Sequence, residues 1–442
     1  MSRKKQSNTK ADIPRSLRFD FSQTLFGNVV LQLCMWGIIS VYNKLGSSES
    51  AGLYTVGLLI AQPVFQFADF NLRQIFVTDI ENRWEFRDYF AHRILWSMIA
   101  LVVSVFLAVF VFHQNNRLLI AITLVIGFAV AGQSLSELFH ALFQKQERFD
   151  LIAKSLIIRG LLTLTGTAAM FYATKNVLLS LIALAVLRFL TAAVYDFPTA
   201  RRLFSQNPTF SKNPTAKFCV IPLELTPRFS CSAIFAMTRL GLPLAINMGL
   251  LSLTPQIPRF WLERQGNAAG SLTALGQFAS IAMLMSVGLM IVNSLGVAMS
   301  QRFAKSYAAA DRSGFLRLTT ILIGSSFGIG CVSLLVIPFI GASLLTLAYN
   351  EEYVALTSLF WLIAFGATFG FVGNALGYPV TAAQRFRIQP FICFVQVLLT
   401  IIGCAILVPQ FGMFGAAWAV AIANIVHAMM FFLIWLSLWR KI

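Results

Sequence analysis

Apolar runs of about 18 residues or more recur along the whole chain, each long enough for a helix to cross a hydrocarbon core about 30 Å thick. Nothing constrains the fold more. Lipid offers the backbone no hydrogen-bond partner, so only helices and closed barrels can span it. With 57% apolar and 12% charged residues over 442 positions, the chain reads as an all-α polytopic membrane protein. The runs predict twelve spans, at 21–43, 52–70, 94–112, 118–139, 155–173, 177–195, 239–258, 274–299, 319–345, 355–378, 389–408 and 414–438. The second is the least regular, since it holds Gln62, Pro63, Gln66 and Asp69. No cleavable secretory signal is expected, because the segment 1–20 is polar and basic and the first apolar run is long.

A net charge of +17 would point a soluble chain toward nucleic acid. Here its distribution carries another meaning, and no nucleic-acid partner is expected. With the N-terminus in the cytoplasm, 27 of the 34 Lys and Arg fall on inner segments. Five fall on outer loops (Lys44, Arg117, Lys175, Arg259, Arg264), and Arg159 and Arg188 lie inside spans. The split obeys the positive-inside rule. It predicts a multi-pass membrane protein with both termini cytoplasmic. The outer loops are short, the longest lying around 259–273. The cysteines at 34, 219, 231, 331, 393 and 404 show neither a disulfide framework nor metal spacing. No Walker, HExxH or GxSxG motif is present. No catalytic residue, metal or cofactor is therefore expected.

The longest polar segment, 196–238, carries Pro198, Pro208, Pro214, Pro222 and Pro227 and falls after span six. The expected organisation is a cytoplasmic tail at 1–20, a first lobe at 21–195, a cytoplasmic linker at 196–238, a second lobe at 239–438 and a short tail at 439–442. "AGLYTVG" (51–57) after span one is echoed by "AGSLTALG" (269–276) after span seven. Two lobes of equal topology would be related by an axis along the membrane normal, with substrate bound between them.

Intramembrane charge is costly and usually faces a wet cavity or a partner. Arg159 and Arg188 are either such residues or anchors that snorkel to the interface; the depth of Arg188 favours a cavity. Arg73 and Arg239 flank the inner ends of spans two and seven, and Arg259 closes span seven on the outside. Together they would give a cationic cavity open to the cytoplasm, with Arg259 a further cation near the exit, for an anionic passenger, and the planar Arg fork suits phosphate. Asp69 and Glu137 are candidates for pairing with these arginines, or for coupling to a proton or sodium ion. Span seven, "LPLAINMGLLSLTPQIPRFWLERQG", holds three prolines. Pro243 sits at its inner start, where proline is cheap, whereas Pro255 and Pro258 fall in its outer part, where each removes a helix hydrogen bond. They predict a bend beside Arg259, either a static kink or a gate. The segments 73–93 and 301–318 read as amphipathic stretches on the cytoplasmic membrane surface.

"LPLAINMGLLSLTPQIPRFWLE", "NSLGVAMSQRFAKSYAAADRSGF", "LAYNEEYVALTSLFWLIAFG", "LGYPVTAAQRFRIQP", "LVPQFGMFGAAWAVA" and "LGSSESAGLYTVGLLIAQPVFQFADFNLRQIFVTD" resemble one family across roughly residues 20–440. It is the lipopolysaccharide or polysaccharide biosynthesis family, the O-antigen flippase-like, MATE-like members of the multidrug, oligosaccharidyl-lipid and polysaccharide exporter superfamily. The resemblance implies twelve helices in two six-helix lobes, V-shaped, with alternating access. It implies a flippase that carries an undecaprenyl-pyrophosphate-linked oligosaccharide from the inner to the outer leaflet, for O-antigen, capsule or exopolysaccharide. Its partners would be that lipid-linked oligosaccharide, membrane lipid, and polysaccharide polymerase and assembly proteins. On this reading Arg188, Arg159, Arg73 and Arg239 hold the pyrophosphate, and Arg259 receives it near the exit. Two rivals remain open. A multidrug or organic-ion exporter of the same superfamily would need buried carboxylates, where this chain carries more buried arginine. A polytopic glycan polymerase or ligase would need a sizeable outer loop.

Overall fold

The computed structural model describes residues 17–79, 83–112, 116–205, 227–265, 268–383, 385 and 388–440. Most of the expected tails and the middle of the expected linker lie outside these residues. The described chain forms α1 (Leu17–Leu45), α2 (Ser48–Ala68), α3 (Leu72–Thr78), α4 (Phe86–Leu107), α5 (Arg117–Lys145), α6 (Phe149–Thr174), α7 (Val177–Thr191) and α8 (Phe197–Ser205). It continues with α9 (Cys231–Leu253), α10 (Ile257–Glu263), α11 (Ala268–Ala308), α12 (Arg312–Ala348), α13 (Thr357–Ala382) and α14 (Gln389–Trp439). Short polar residues start several of them, each satisfying an amide that the first turn leaves free. Asn116 caps α5 by accepting from the Leu119 amide at 3.2 Å, and Asp311 caps α12 by accepting from Gly314 at 2.9 Å.

Among the described residues, eleven helices are long and apolar enough to cross a membrane. The last, α14, is two spans. Gly412 has φ 55° and ψ −128°, outside the helical region. A Cβ on Gly403 would lie 3.0 Å from that of Ala419. An unbroken helix, rising 1.5 Å per residue, would hold those two positions about 24 Å apart. The chain therefore folds back at Gly412, and the twelve expected spans each have a helix.

The helices form two lobes, with α1–α8 in the first and α11–α14 at the heart of the second. At the end of the bundle that carries the basic loops, each lobe has its own core. One surrounds Phe70, Phe86 and Phe139; the other surrounds Phe303, Phe315 and Phe371. At the opposite end a single apolar cluster runs through both lobes, joining Tyr42, Tyr54 and Leu181 to Phe278, Leu345 and Tyr353.

Span seven departs from expectation. α9 starts at Cys231, so Pro243 lies in the helix interior and not at its cheap first turn. Pro255 sits in the turn 254–256, and Pro258 lies in the first turn of α10, where a missing N–H costs nothing. The helix has already ended before the two prolines that were expected to bend it. α9 leans on the first lobe along Met237, Gly241, Ala245 and Gly249. A Cβ on Gly241 would lie 2.9 Å from Phe70, and Thr238 accepts from the Trp96 indole at 3.2 Å. α10, by contrast, packs with α11 and α14.

Two surface segments also differ from expectation. Residues 301–318 are the ends of α11 and α12, which are simply longer than their apolar runs. In 73–93, α4 begins at Phe86 and carries its basic residue Arg93 into the core, where it is 2% exposed.

Candidate functional site

A polar cavity of about 220 Å³ opens in the first lobe near the basic end. Thr24 and Asn28 of α1, Arg73 of α3, Gln133, Glu137 and His140 of α5, and Arg159 of α6 line it. All of these residues belong to the first lobe. Arg73 Nε donates to Gln144 Oε1 at 3.0 Å. Arg159 is 3% exposed, and its Nη1 has no hydrogen-bond partner. Glu137 accepts from Gln133 Nε2 at 3.1 Å. It lies within electrostatic reach of four arginines: Arg73, Arg93, Arg159 and Arg188.

Arg188 is 5% exposed, so its head is inside the protein and does not snorkel. Its contacts are weak for a buried cation: Nη1 donates to the Ala129 carbonyl at 3.3 Å, and Nη2 faces Met35 Sδ at 3.5 Å. Arg259 is half-buried on α10, donates to Gln256 Oε1 at 3.2 Å and leaves Nε without a partner. Arg239 does not line this cavity. It follows the buried Met237 by two positions on α9, which turns it to the far side of the helix from the buried stripe, and it is exposed.

Asp69 pairs with Arg93, which also donates to Ser134 Oγ at 2.9 Å. That carboxylate is therefore committed to a buried ion pair at the junction of α2, α4 and α5. Arg93 was missed in the sequence because the apolar run begins at 94. The signal that finds it is the capping box of Glu85 and Asp88, which starts α4 immediately after Glu85.

His140 is hydrogen-bonded through Nε2 to Ser155 Oγ at 2.7 Å, and Asp196 Oδ1 lies 4.0 Å from the same nitrogen. A nucleophilic triad needs the acid on the other ring nitrogen, so this cluster is not one. Among the described residues no group of His, Cys, Asp and Glu could hold a metal ion.

The opposite end is sealed by neutral hydrogen bonds between the lobes. Asn43 donates to Ser280 Oγ at 3.0 Å and accepts from the Tyr353 hydroxyl at 2.6 Å. Tyr349 donates to the Ser280 carbonyl at 2.7 Å and accepts from the Trp36 indole at 3.0 Å. α2 and α11 touch backbone to backbone. A Cβ on Gly276 would lie 2.7 Å from the Gly52 nitrogen, and one on Gly52 would lie 2.8 Å from the Leu272 carbonyl carbon. Gly276→Val is therefore expected to prop this end open. A cysteine placed at Ser48 should then react with a membrane-impermeant thiol reagent, and should be protected when Gly276 is intact; equal reactivity would contradict the seal.

The described residues thus form a two-lobed bundle of twelve spans with arginines buried inside it. No family model matches the sequence. The chain is 26% identical over 407 residues to the capsular polysaccharide biosynthesis protein CapF of Staphylococcus aureus, covering 92% of this chain and 96% of that one. It superposes on the lipid II flippase MurJ in its inward closed conformation with a TM-score of 0.72 at 11% identity, covering 96% of this chain and 89% of that one. An outward-facing multidrug resistance MATE family transporter gives 0.64 at 14% identity, with 95% of each chain covered. The fold is the two-lobed transporter fold of the MATE proteins and MurJ. Sequence match and fold together fit a polysaccharide exporter family of the multidrug, oligosaccharidyl-lipid and polysaccharide exporter superfamily, as the resemblance implied.

Proposed function

We propose that this chain is a flippase that carries an undecaprenyl-pyrophosphate-linked oligosaccharide from the inner to the outer leaflet of the bacterial cytoplasmic membrane, for surface polysaccharide assembly. On this reading the basic end faces the cytoplasm and holds both termini, by the positive-inside rule. The lobes are 21–195 and 239–438, joined by 196–238. The observation that carries the proposal is the set of buried arginines around Glu137, with Arg159 Nη1 unpartnered in the cavity wall. Arg93 is paired with Asp69, but Arg73, Arg159 and Arg188 share Glu137 with only Asp196 besides among the described residues, which leaves positive charge in a largely desolvated place, and an anionic group offsets it.

The cavity, of about 220 Å³, is polar and walled by Arg73 and Arg159, which suits a diphosphate. The phosphates would therefore lodge in the first lobe beside Arg73 and Arg159. The sugars would ride between the lobes, and the polyprenyl tail would stay in lipid. The neutral hydrogen bonds at the far end then break as the lobes rock, and the turn 254–256 between α9 and α10 takes up the change in angle. Glu137, which already faces the arginines, is the group placed to respond to a proton or sodium ion; Asp69 is held by Arg93. A multidrug exporter has the same fold, but an excess of buried arginine over carboxylate repels organic cations.

Deletion of the gene followed by leaflet-specific labelling of lipid-linked glycan tests the reading. Accumulation of the intermediate in the inner leaflet is expected. Unchanged sidedness, together with lost resistance to cationic drugs, would favour the exporter.

A further inference from the structure

On α1, Thr24, Asn28 and Gln32 follow one another at four-residue spacing, which sets them on one side of the helix, each about 6 Å from the next. Thr24 and Asn28 line the first-lobe cavity that Arg73 and Arg159 wall. Asn28 is exposed, so it stands at the mouth of that cavity and not in its floor. Gln32, one turn further from the basic end, reaches the other lobe: its Nε2 donates to Ser286 Oγ of α11 at 3.1 Å. The Ser286 hydroxyl gives its own proton to the Met283 carbonyl at 2.6 Å, so it accepts from Gln32. Further along α1, Trp36 and Asn43 belong to the seal. Gln32 thus stands between the mouth of the cavity and the closed part of the lobe junction.

We infer that Asn28 and Gln32 form the subsite for the sugar joined directly to the pyrophosphate. The inference rests on the flippase reading and deepens it by naming the groups that read the glycan. With the diphosphate beside Arg73 and Arg159, its glycosyl oxygen points out of the cavity mouth. The first sugar ring then lies along the next turn of α1, about 6 Å long. A hexose or an N-acetylhexosamine presents both donors and acceptors there. A primary amide answers both, because it carries two N–H donors and an oxygen with two lone pairs.

The two amides also differ in how they are held. The bond to Ser286 uses one N–H of Gln32 and leaves the other N–H and the oxygen to the ligand, so it fixes the amide in place without consuming it. Asn28 is exposed at the mouth and turns to suit the ring. The arginines grip any diphosphate, whatever it carries. The neutral amides add nothing to that grip, and they discriminate among sugars by which hydroxyl or acetamido groups they can pair.

The test uses the full-length protein in nanodiscs, read by calorimetry. The probes are farnesyl diphosphate and its glucosyl, galactosyl, N-acetylglucosaminyl and N-acetylgalactosaminyl derivatives. In the wild type at least one sugar-bearing probe is expected to bind about fivefold or more tighter than farnesyl diphosphate, the worth of one or two neutral hydrogen bonds. Asn28→Ala and Gln32→Ala should each remove most of that gain and leave the affinity for farnesyl diphosphate unchanged. Ser286→Ala cuts the tie between the lobes but keeps the amide, and it should keep most of the gain. If Ser286→Ala loses the gain as fully as Gln32→Ala does, Gln32 is a latch between the lobes and not a sugar ligand. Because Asn28 is exposed, its variant should fold, and an unchanged gain there would remove Asn28 from the subsite even if Gln32→Ala failed to fold. Equal affinities for all five probes, each weakened by Arg159→Gln, would overturn the subsite and leave the flippase reading standing. No binding of farnesyl diphosphate or its derivatives would overturn both.

Discussion

Asp69→Ala is expected to cost about 3–5 kcal/mol of stability, because it strands a charged Arg93 in the core of the first lobe. Arg93 is 2% exposed; Asp69 and Ser134 are its hydrogen-bonded partners, and its Nε and Nη2 have none. Removing the carboxylate leaves the guanidinium one hydrogen bond, to the Ser134 hydroxyl, with Glu137 as its remaining counter-charge. The loss should appear as a lower unfolding midpoint of the purified protein and as reduced amounts in the membrane. The partner experiment separates an ion pair from a packing effect. Replacing both residues with leucine removes the buried charge together with its counter-charge, and most of the loss should be recovered. If the double variant is as unstable as Asp69→Ala, the pair is not what holds this junction.

Arg159→Gln should do the opposite, leaving stability nearly intact and reducing translocation by about 10- to 100-fold, the worth of a charge-assisted bond to an anion. The side chain is buried in the cavity wall with Nη1 unsatisfied, so the protein alone gains little from its charge. Glutamine keeps a polar group of moderate length and gives up the fork. Translocation at the wild-type rate would mean that Arg159 only anchors α6. Arg239→Gln is the contrasting control: that side chain is exposed on α9 and away from the cavity, and its loss should leave translocation within about twofold.

The fold was legible because two signals agree. Apolar length marked the twelve spans, and alternation of basic charge numbered them, so that the two arms of α14 were separated although no polar loop divides them. The site was less legible, for reasons that can be traced to particular residues. Arg93 looks like a loop residue because hydropathy rises only after it, whereas the helix is set earlier by the cap at Glu85. The prolines of span seven misplace the bend because hydropathy cannot tell a helix from a helix, a turn and a second helix. Pro243 is the one inside a helix, and Pro255 and Pro258 lie where a helix has stopped or has just begun. The composition of the cationic cavity was readable in part, since Arg73, Arg159 and Glu137 all line it. Its confinement to one lobe was not, because a basic residue at the end of a span carries no record of which neighbour it faces.

The most direct test of the central claim is reconstitution. Purified protein in liposomes that carry an undecaprenyl-pyrophosphate oligosaccharide should make the inner-leaflet glycan accessible to an impermeant lectin. The rate should scale with protein and fall in Arg159→Gln. Glycan that stays on its original side at every wild-type protein density would contradict the account.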